Sequence, residues 1–400
     1  MSNIYLDNSA TTKPCDEAIH AMVEAMSENY GNPSSLHMAG TRAAELLLSS
    51  RNTVLAALWG TYVRSKLPRK PMMRGGEEYG RLIFTASGTE SNNLAIFGAV
   101  ESCKINAPEI ITTDSEHPAV LRAVEKLQEK GVKVFKLKTL GGRIDIDELK
   151  SLLSPKTALV SVMYVNNETG AIYDVAEIFK TVKSISPNAV CHTDCVQAFQ
   201  KLPFTPKTLN ADMITVSAHK VHGPKGVGAL WVSRELINKN RPFPIIFGGG
   251  QESSFRSGTE NIPGIAAFAA ATEANGGAKA YEEFGRKTEA LKRLLIQSLP
   301  DGVSVNTPLG NSAPYIISLA LPLPKSQPML NYLSALGIYV SSGSACSSHK
   351  NTVSHVLTAF GISNAVADGT IRVSLDISNT EEEILTFCDA LSQGITKLAK

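Results

Sequence analysis

Short β-branched runs alternate with amphipathic patterns along most of this chain, and that alternation limits the possible fold more than any other feature. "RLIFTA" precedes "SGTESNNLAIFGAV", "EIITT" precedes "HPAVLRAVEKLQEK", and "TALVSVMYV" precedes "DVAEIFKTVKSI"; "NAVCHTD", "ADMITVS" and "GALWVS" follow. Strands that alternate with helices build βαβ units, which predicts an α/β protein with a mostly parallel sheet covered on both faces. Beyond about Ile262 a long helical stretch, "YEEFGRKTEALKRLLIQSL", leads into "YIISLAL", "GIYVSS" and "TIRVSL", the pattern of a smaller α+β unit. The break "ANGG" at Asn275–Gly277 separates the two. The expected division is a large domain over 15–275 and a small one made of 1–14 and 276–400.

A chain of 400 residues can bury a large core. Its 39 basic and 37 acidic residues leave a net charge of +2, so no global field draws it to nucleic acid or an anionic membrane. The basic run "VRSKLPRKPMMRGG", Val63–Gly76, reads as a solvated loop or a contact for a partner. No apolar run approaches the ~18 residues of a membrane span, and "MSNIYLDNSATTKP" has no signal-peptide pattern, so a cytoplasmic protein is expected. Six scattered cysteines argue against a disulfide framework. "CHTDC" has too wide a gap and no second pair for a zinc site, so no metal is expected. Cys388 falls among Ile384, Phe387 and Leu391 behind a Thr380–Glu383 capping box, which makes it core.

Ligands of open α/β sheets gather at the carboxyl ends of strands. After "RLIFTA", the turn at Gly88 and Thr89 opens a helix whose free amides suit a phosphate; an ordinary Ser/Thr cap would look the same. After "ADMITVS", Lys220 stands among His219, His222 and Lys225, where a desolvated amine could form a Schiff base. Asp194 closes "NAVCHTD", with Gln197 three residues on, and its partner is a side-chain cation, a helix N-terminus or a protonated ring nitrogen. His117 in "DSEHPAV" could stack on a planar ring, titrate near neutrality or simply start a helix, and Asn167 in "VNNETG" offers an amide or a plain turn. Each signal is weak alone, but a phosphate cup, lysine, aspartate, histidine and amide at successive strand ends together describe one cofactor, pyridoxal 5'-phosphate (PLP).

The chain resembles the nitrogen-fixation type of cysteine desulfurase, within the class V aminotransferase group of fold-type I PLP enzymes. The motifs occur in that family's order: "YLDNSATT", "YGNPSSLH", "FTASGTESNNLAI", "SEHPAVL", "VNNETGAI", "HTDCVQAFQKLP", "SAHKVHGPKGVGAL", "GGGQESSFRSGTEN", "SSGSACSS" and "IRVSL". The resemblance implies a seven-stranded sheet in the large domain. It also implies that Lys220 carries PLP, that His117 stacks on its ring and moves protons, and that Asp194 pairs with the ring nitrogen. Asn167 and Gln197 then contact the ring hydroxyl, while Gly88, Thr89, Ser217 and His219 hold the phosphate. Thr259 would reach the phosphate of a neighbouring subunit, which implies a homodimer. Arg372 would clamp the substrate carboxylate, a fork that lysine cannot copy, with Asn8, Asn32 and Asn167 on the substrate side.

On this reading L-cysteine gives up its sulfur to the Cys346 thiolate, L-alanine leaves, and the persulfide passes to an acceptor protein such as an iron-sulfur scaffold. A Ser/Gly loop supplies the access such a nucleophile needs, and the loop is expected to lie far from Lys220 or to be poorly ordered at rest. The segment holding Val63–Gly76 is longer than the family pattern, and the sequence ends at "ITKLAK", short of the tail of the housekeeping branch. The competing expectations are a selenocysteine lyase or another class V reaction, and a sulfur-carrier subunit that keeps the fold without catalysis.

Overall fold

The computed structural model describes residues 3–60, 79–276, 278–343 and 353–398. In chain order the strands are β1 (Ile4–Tyr5), β2 (Arg81–Thr85), β3 (Glu109–Thr113), β4 (Lys133–Leu137), β5 (Thr157–Ser161), β6 (Val190–Asp194), β7 (Met213–Ser217), β8 (Gly228–Val232), β9 (Ser304–Val305), β10 (Ile316–Ala320), β11 (Ile338–Tyr339) and β12 (Thr370–Ser374). Seven of them form one sheet in the order β2-β8-β7-β6-β5-β3-β4. Neighbours from β7 through β4 run parallel, whereas β8 is antiparallel to both β2 and β7. The reason lies in the β7–β8 connection: the ten residues from Ala218 to Val227 are too few for a helical crossover, so the chain turns back on itself.

The strands alternate their side chains between two apolar clusters, as a sheet covered on both faces must. Leu82, Phe84, Ile111, Val160 and Ile214 enter one cluster. Ile83, Ile110, Leu159 and Met213, their immediate neighbours in sequence, enter the other, beneath Leu94, Val120 and Val124 of the helices Gly88–Glu101 and Pro118–Glu129. The first cluster continues without a break into a three-stranded antiparallel sheet, β12-β10-β9, through Ile317, Leu319, Ile371 and Val373. The N-terminal segment joins that side of the molecule: β1 pairs in parallel with β11, and Asp7 bridges Ser374.

Local signals read from the sequence reappear as geometry. The Thr380–Glu383 box closes reciprocally, with the Thr380 N–H donating to Glu383 Oε2 at 3.0 Å and the Glu383 N–H to Thr380 Oγ1 at 3.2 Å. Cys388 is buried against the core of the helix that follows. The helix Ile262–Ala274 ends at Asn275, and Gly276 takes the left-handed φ of +79° that breaks it. Among the described residues no helix is long and apolar enough to cross a membrane.

Candidate active site

The carboxyl ends of β2, β3, β5, β6 and β7 lie along one edge of the sheet, and a cavity of about 250 Å³ opens there. Ser87, Gly88 and Thr89 reach it from the end of β2, His117 from β3, Asn167 from β5, Asp194 and Gln197 from β6, and Ser217, His219 and Lys220 from β7. Ser9, Ala10 and Arg372 close the opposite side. The antiparallel return of β8 places Lys220 here: a tight 3-10 turn, Ala218–Lys220, stops the chain at the sheet edge instead of carrying it into a helix.

Lys220 Nζ donates to the carbonyls of Ser9 and of Ala10, the latter at 2.8 Å. Burial, followed by the nearby Arg372 and Lys201 charges, pulls its pKa down to about 7, against the opposing pull of Asp7 and Asp194. Near neutrality a large fraction of this amine is therefore unprotonated and nucleophilic. Asp194 accepts from the Asn92 amide at 2.7 Å and from the Val196 N–H at 2.9 Å, which holds its carboxylate fixed at the strand end.

His117 starts a helix, one of the parts that the sequence left open, and faces the cavity as well. It caps the helix Pro118–Glu129, its Nδ1 accepting from the Ala119 N–H at 3.1 Å, and its ring also lines the cavity. Because Nδ1 is an acceptor, the ring proton sits on Nε2; burial, with Lys220 and His355 acting in the same sense and Asp194 against them, lowers its pKa. His219 is pushed down to about 3 by burial and by Lys220 and Lys225, and so stays neutral. Gly88 begins its helix so close to β6 and β7 that a Cβ would lie 3.0 Å from Val196 Cγ2.

Several buried polar atoms around the cavity have no protein partner: Ser9 Oγ, Asn92 Oδ1, Asn167 Oδ1, Gln197 Oε1, Ser217 Oγ and Arg372 Nε. Buried polar groups are rarely left unsatisfied, so this concentration around one cavity marks where a polar ligand belongs. Gln197 spends its Nε2 on the Ser9 carbonyl at 2.9 Å and keeps the oxygen free. The Arg372 guanidinium, 2% exposed, donates to the Asn167 carbonyl and to Asp7 Oδ1, both at 2.8 Å.

Other expected residues lie elsewhere. Asn8 is buried with its amide donating to the Ser374 carbonyl at 3.1 Å, a tie to β12, and does not line the cavity. Asn32 is exposed, and its oxygen accepts from the Ser34 N–H at 2.9 Å. Thr259, also exposed, lines a separate cleft of about 200 Å³ with Arg256 and Glu252. Cys346, and with it the expected placement of its loop, lies outside the described residues, as does Val63–Gly76. Sequence reasoning missed Asn92; its one signal is that it lies a helical turn beyond Gly88, on the face turned to the sheet. It also missed the Ser9 and Ala10 carbonyls, since backbone acceptors carry no sequence signature.

A partly unprotonated lysine and a fixed aspartate at the ends of adjacent strands in one cavity make a carbonyl cofactor site, and the chain belongs to the class-V aminotransferase family, whose pattern it matches over residues 72–387. Its relatives narrow this further to cysteine desulfurases. The chain is 37% identical over 404 residues to the cysteine desulfurase of Trichormus azollae, covering all of this chain and 94% of that one. A solved NifS-like protein superposes with a TM-score of 0.86 at 35% identity over 99% of this chain and all of the other. SspA in complex with cysteine superposes with a TM-score of 0.77 at 30% identity, over 95% and 100% of the two chains. Enzymes of this family are PLP-dependent, and the residues present fit that group: an available amine, a fixed carboxylate, a helix N-terminus beside a free serine hydroxyl, and free amide oxygens between them.

Proposed function

We propose that the protein is a PLP-dependent cysteine desulfurase that takes sulfur from L-cysteine onto Cys346 and releases L-alanine. The observation that carries this reading is Lys220, an amine with a pKa near 7, in one cavity with Asp194 and Arg372. Lys220 Nζ would hold the cofactor and move a proton at the substrate Cα. When bound, PLP supplies an electron sink for the charge left on that carbon. Asp194, fixed by Asn92, would serve the ring nitrogen of the bound group, and the neutral His117, with its ring proton on Nε2, would pack against that group and carry a proton. Gly88, Thr89, Ser217 and neutral His219 hold the phosphate through N–H and O–H donors. Asn167 and Gln197, whose side-chain oxygens are free, would contact the ring hydroxyl. Arg372 turns its unsatisfied Nε to the substrate carboxylate.

The sulfur step needs no outside oxidant. The Cys346 thiolate attacks the substrate Sγ, an S–S bond forms and the Sγ–Cβ bond breaks. Its electron pair stays with carbon, which takes up protons and leaves as L-alanine. One sulfur atom moves from substrate to protein, to be handed on to a thiol of an acceptor such as an iron-sulfur scaffold in the cytoplasm. We further propose a homodimer in which Thr259 serves the neighbouring subunit. Ile19, Val23 and Met26 repeat at helical spacing on the exposed face of Asp16–Ser27, and Tyr30, Leu36 and Met38, next in the sequence, are exposed as well. The two-domain division at about residue 275, with the first 14 residues in the small domain, belongs to the same reading. Incubation of PLP-loaded protein with L-cysteine and a thiol reductant is expected to release alanine and sulfide in equal amounts. Cys346→Ala should abolish sulfide release while keeping the cofactor absorbance; normal sulfur release by that variant would refute the assignment of the thiol.

A further inference from the structure

We propose that Glu168 is a positioning residue whose carboxylate fastens both flanks of the cysteine-bearing stretch to the cavity wall. Glu168 is 1% exposed and follows Asn167 in the turn after β5. That turn is held from within: Asn166 Oδ1 accepts from the Glu168 and Thr169 N–H groups, each at 2.9 Å. Glu168 therefore projects from a rigid segment that also presents Asn167 to the cavity.

Its Oε2 accepts the Ser354 hydroxyl at 2.5 Å, and Ser354 caps the helix His355–Ala359. Gly343 abuts the same oxygen: with φ at +61°, a Cβ built there would lie 2.9 Å from Glu168 Oε2. Only glycine suits that backbone angle and that approach at once. Cys346 lies between Gly343 and Ser354 in sequence, so the chain leaves toward the cysteine from one side of this carboxylate and returns to the same atom. Two further bonds reinforce the anchor. His355 Nε2 pairs with the Glu116 carbonyl at 3.0 Å, next to His117, and the Arg372 N–H donates to the Ser341 carbonyl at 2.6 Å. Both flanks are thus tied to segments that carry His117, Asn167 and Arg372.

The chemistry of the pair points the same way. A carboxylate this deeply buried is costly when its direct partner is a neutral hydroxyl. Burial raises its pKa, while Ser354, His355 and Arg372 favour the charged form. Nothing in the apolar core requires a carboxylate here; holding two chain segments at one point does.

The proposal rests on the desulfurase reading, and two measurements on PLP-loaded protein separate them. Deuterium uptake at Cα of L-alanine in heavy water reports Lys220 and cofactor chemistry without any thiol. Persulfide formation at Cys346 after L-cysteine, read by mass spectrometry, reports the thiol's approach. Glu168→Ala should keep deuterium uptake within about twofold of wild type while persulfide formation slows roughly tenfold or more, the scale of a lost hydrogen bond to a charged group. Glu168→Gln keeps an oxygen for Ser354 and should restore most of the rate, and Ser354→Ala should slow it as Glu168→Ala does. Equal loss of both readouts in Glu168→Ala, or an unchanged persulfide rate in Glu168→Ala or Ser354→Ala, would overturn the proposal. Should Glu168→Ala fail to fold, the Gln and Ser354→Ala variants decide. Failure of the desulfurase reading would show in the wild type itself, as absence of persulfide.

Discussion

Replacing Lys220 with methionine tests the electrostatics of the site without any turnover. In protein stripped of PLP, Lys220 has a pKa near 7 against an ordinary 10.5, a difference of 10.5 − 7 = 3.5 units. At about 1.36 kcal/mol per unit, the protonated amine costs the folded state up to about 5 kcal/mol, a ceiling that water entering the cavity lowers. The unfolded chain binds the proton more tightly, so the depressed folded value makes stability rise with pH between about 7 and 10.5 and leaves the full penalty in place below 7. Methionine is unbranched like lysine, one atom shorter and uncharged, so Lys220→Met should stabilise the apo-protein most at pH 6, and the gain should fade as pH approaches 10. A constant offset opposes it, because the Ser9 and Ala10 carbonyls lose their donor at a cost of about 1–2 kcal/mol. Urea unfolding of both proteins across pH 6–10 measures the difference. A gap that does not change with pH, or that widens as pH rises, would refute the claim that burial and neighbouring cations strain this lysine.

Other expectations follow from particular contacts. Arg372→Lys loses the directed bonds to Asn167 and Asp7, so the KM for L-cysteine should rise roughly ten- to a hundredfold in steady-state assays. Thr380→Ala opens the capping box of the last helix and should cost about 1 kcal/mol in denaturant unfolding with turnover unchanged. Val23→Glu puts a charge between Ile19 and Met26 on the exposed face of Asp16–Ser27 and should shift sedimentation velocity from dimer toward monomer at micromolar concentration.

The sheet was legible where its strands are buried on both faces, because a doubly buried strand writes itself as a short β-branched run; the edge strand β4, with Lys133 and Lys136 exposed, carries no such signal. The direction of β8 was not named, although the ten-residue β7–β8 link already held the answer. Cavity-lining residues were legible where they close a strand or follow it within a few residues, as Asp194 and Lys220 do. Asn8 and Asn32 carry the same amide as Asn167, yet one is tied to Ser374 and the other is exposed; no local pattern separates a free amide from a committed one. The pair Asn166–Asn167 shows the same limit, since one builds the turn and the other faces the cavity. Glu168, Asn92 and the Ser9 carbonyl act through partners about a hundred or more residues away, and such pairings arise only when the chain is folded.

The most direct test of the central claim is mass spectrometry of peptides from PLP-loaded protein quenched after brief exposure to L-cysteine. The account predicts a gain of one sulfur atom on the peptide containing Cys346, reversed by a thiol reductant, with alanine released in matching amount. Alanine release with that peptide unmodified, or sulfur found on Cys15 or Cys103 instead, would contradict it.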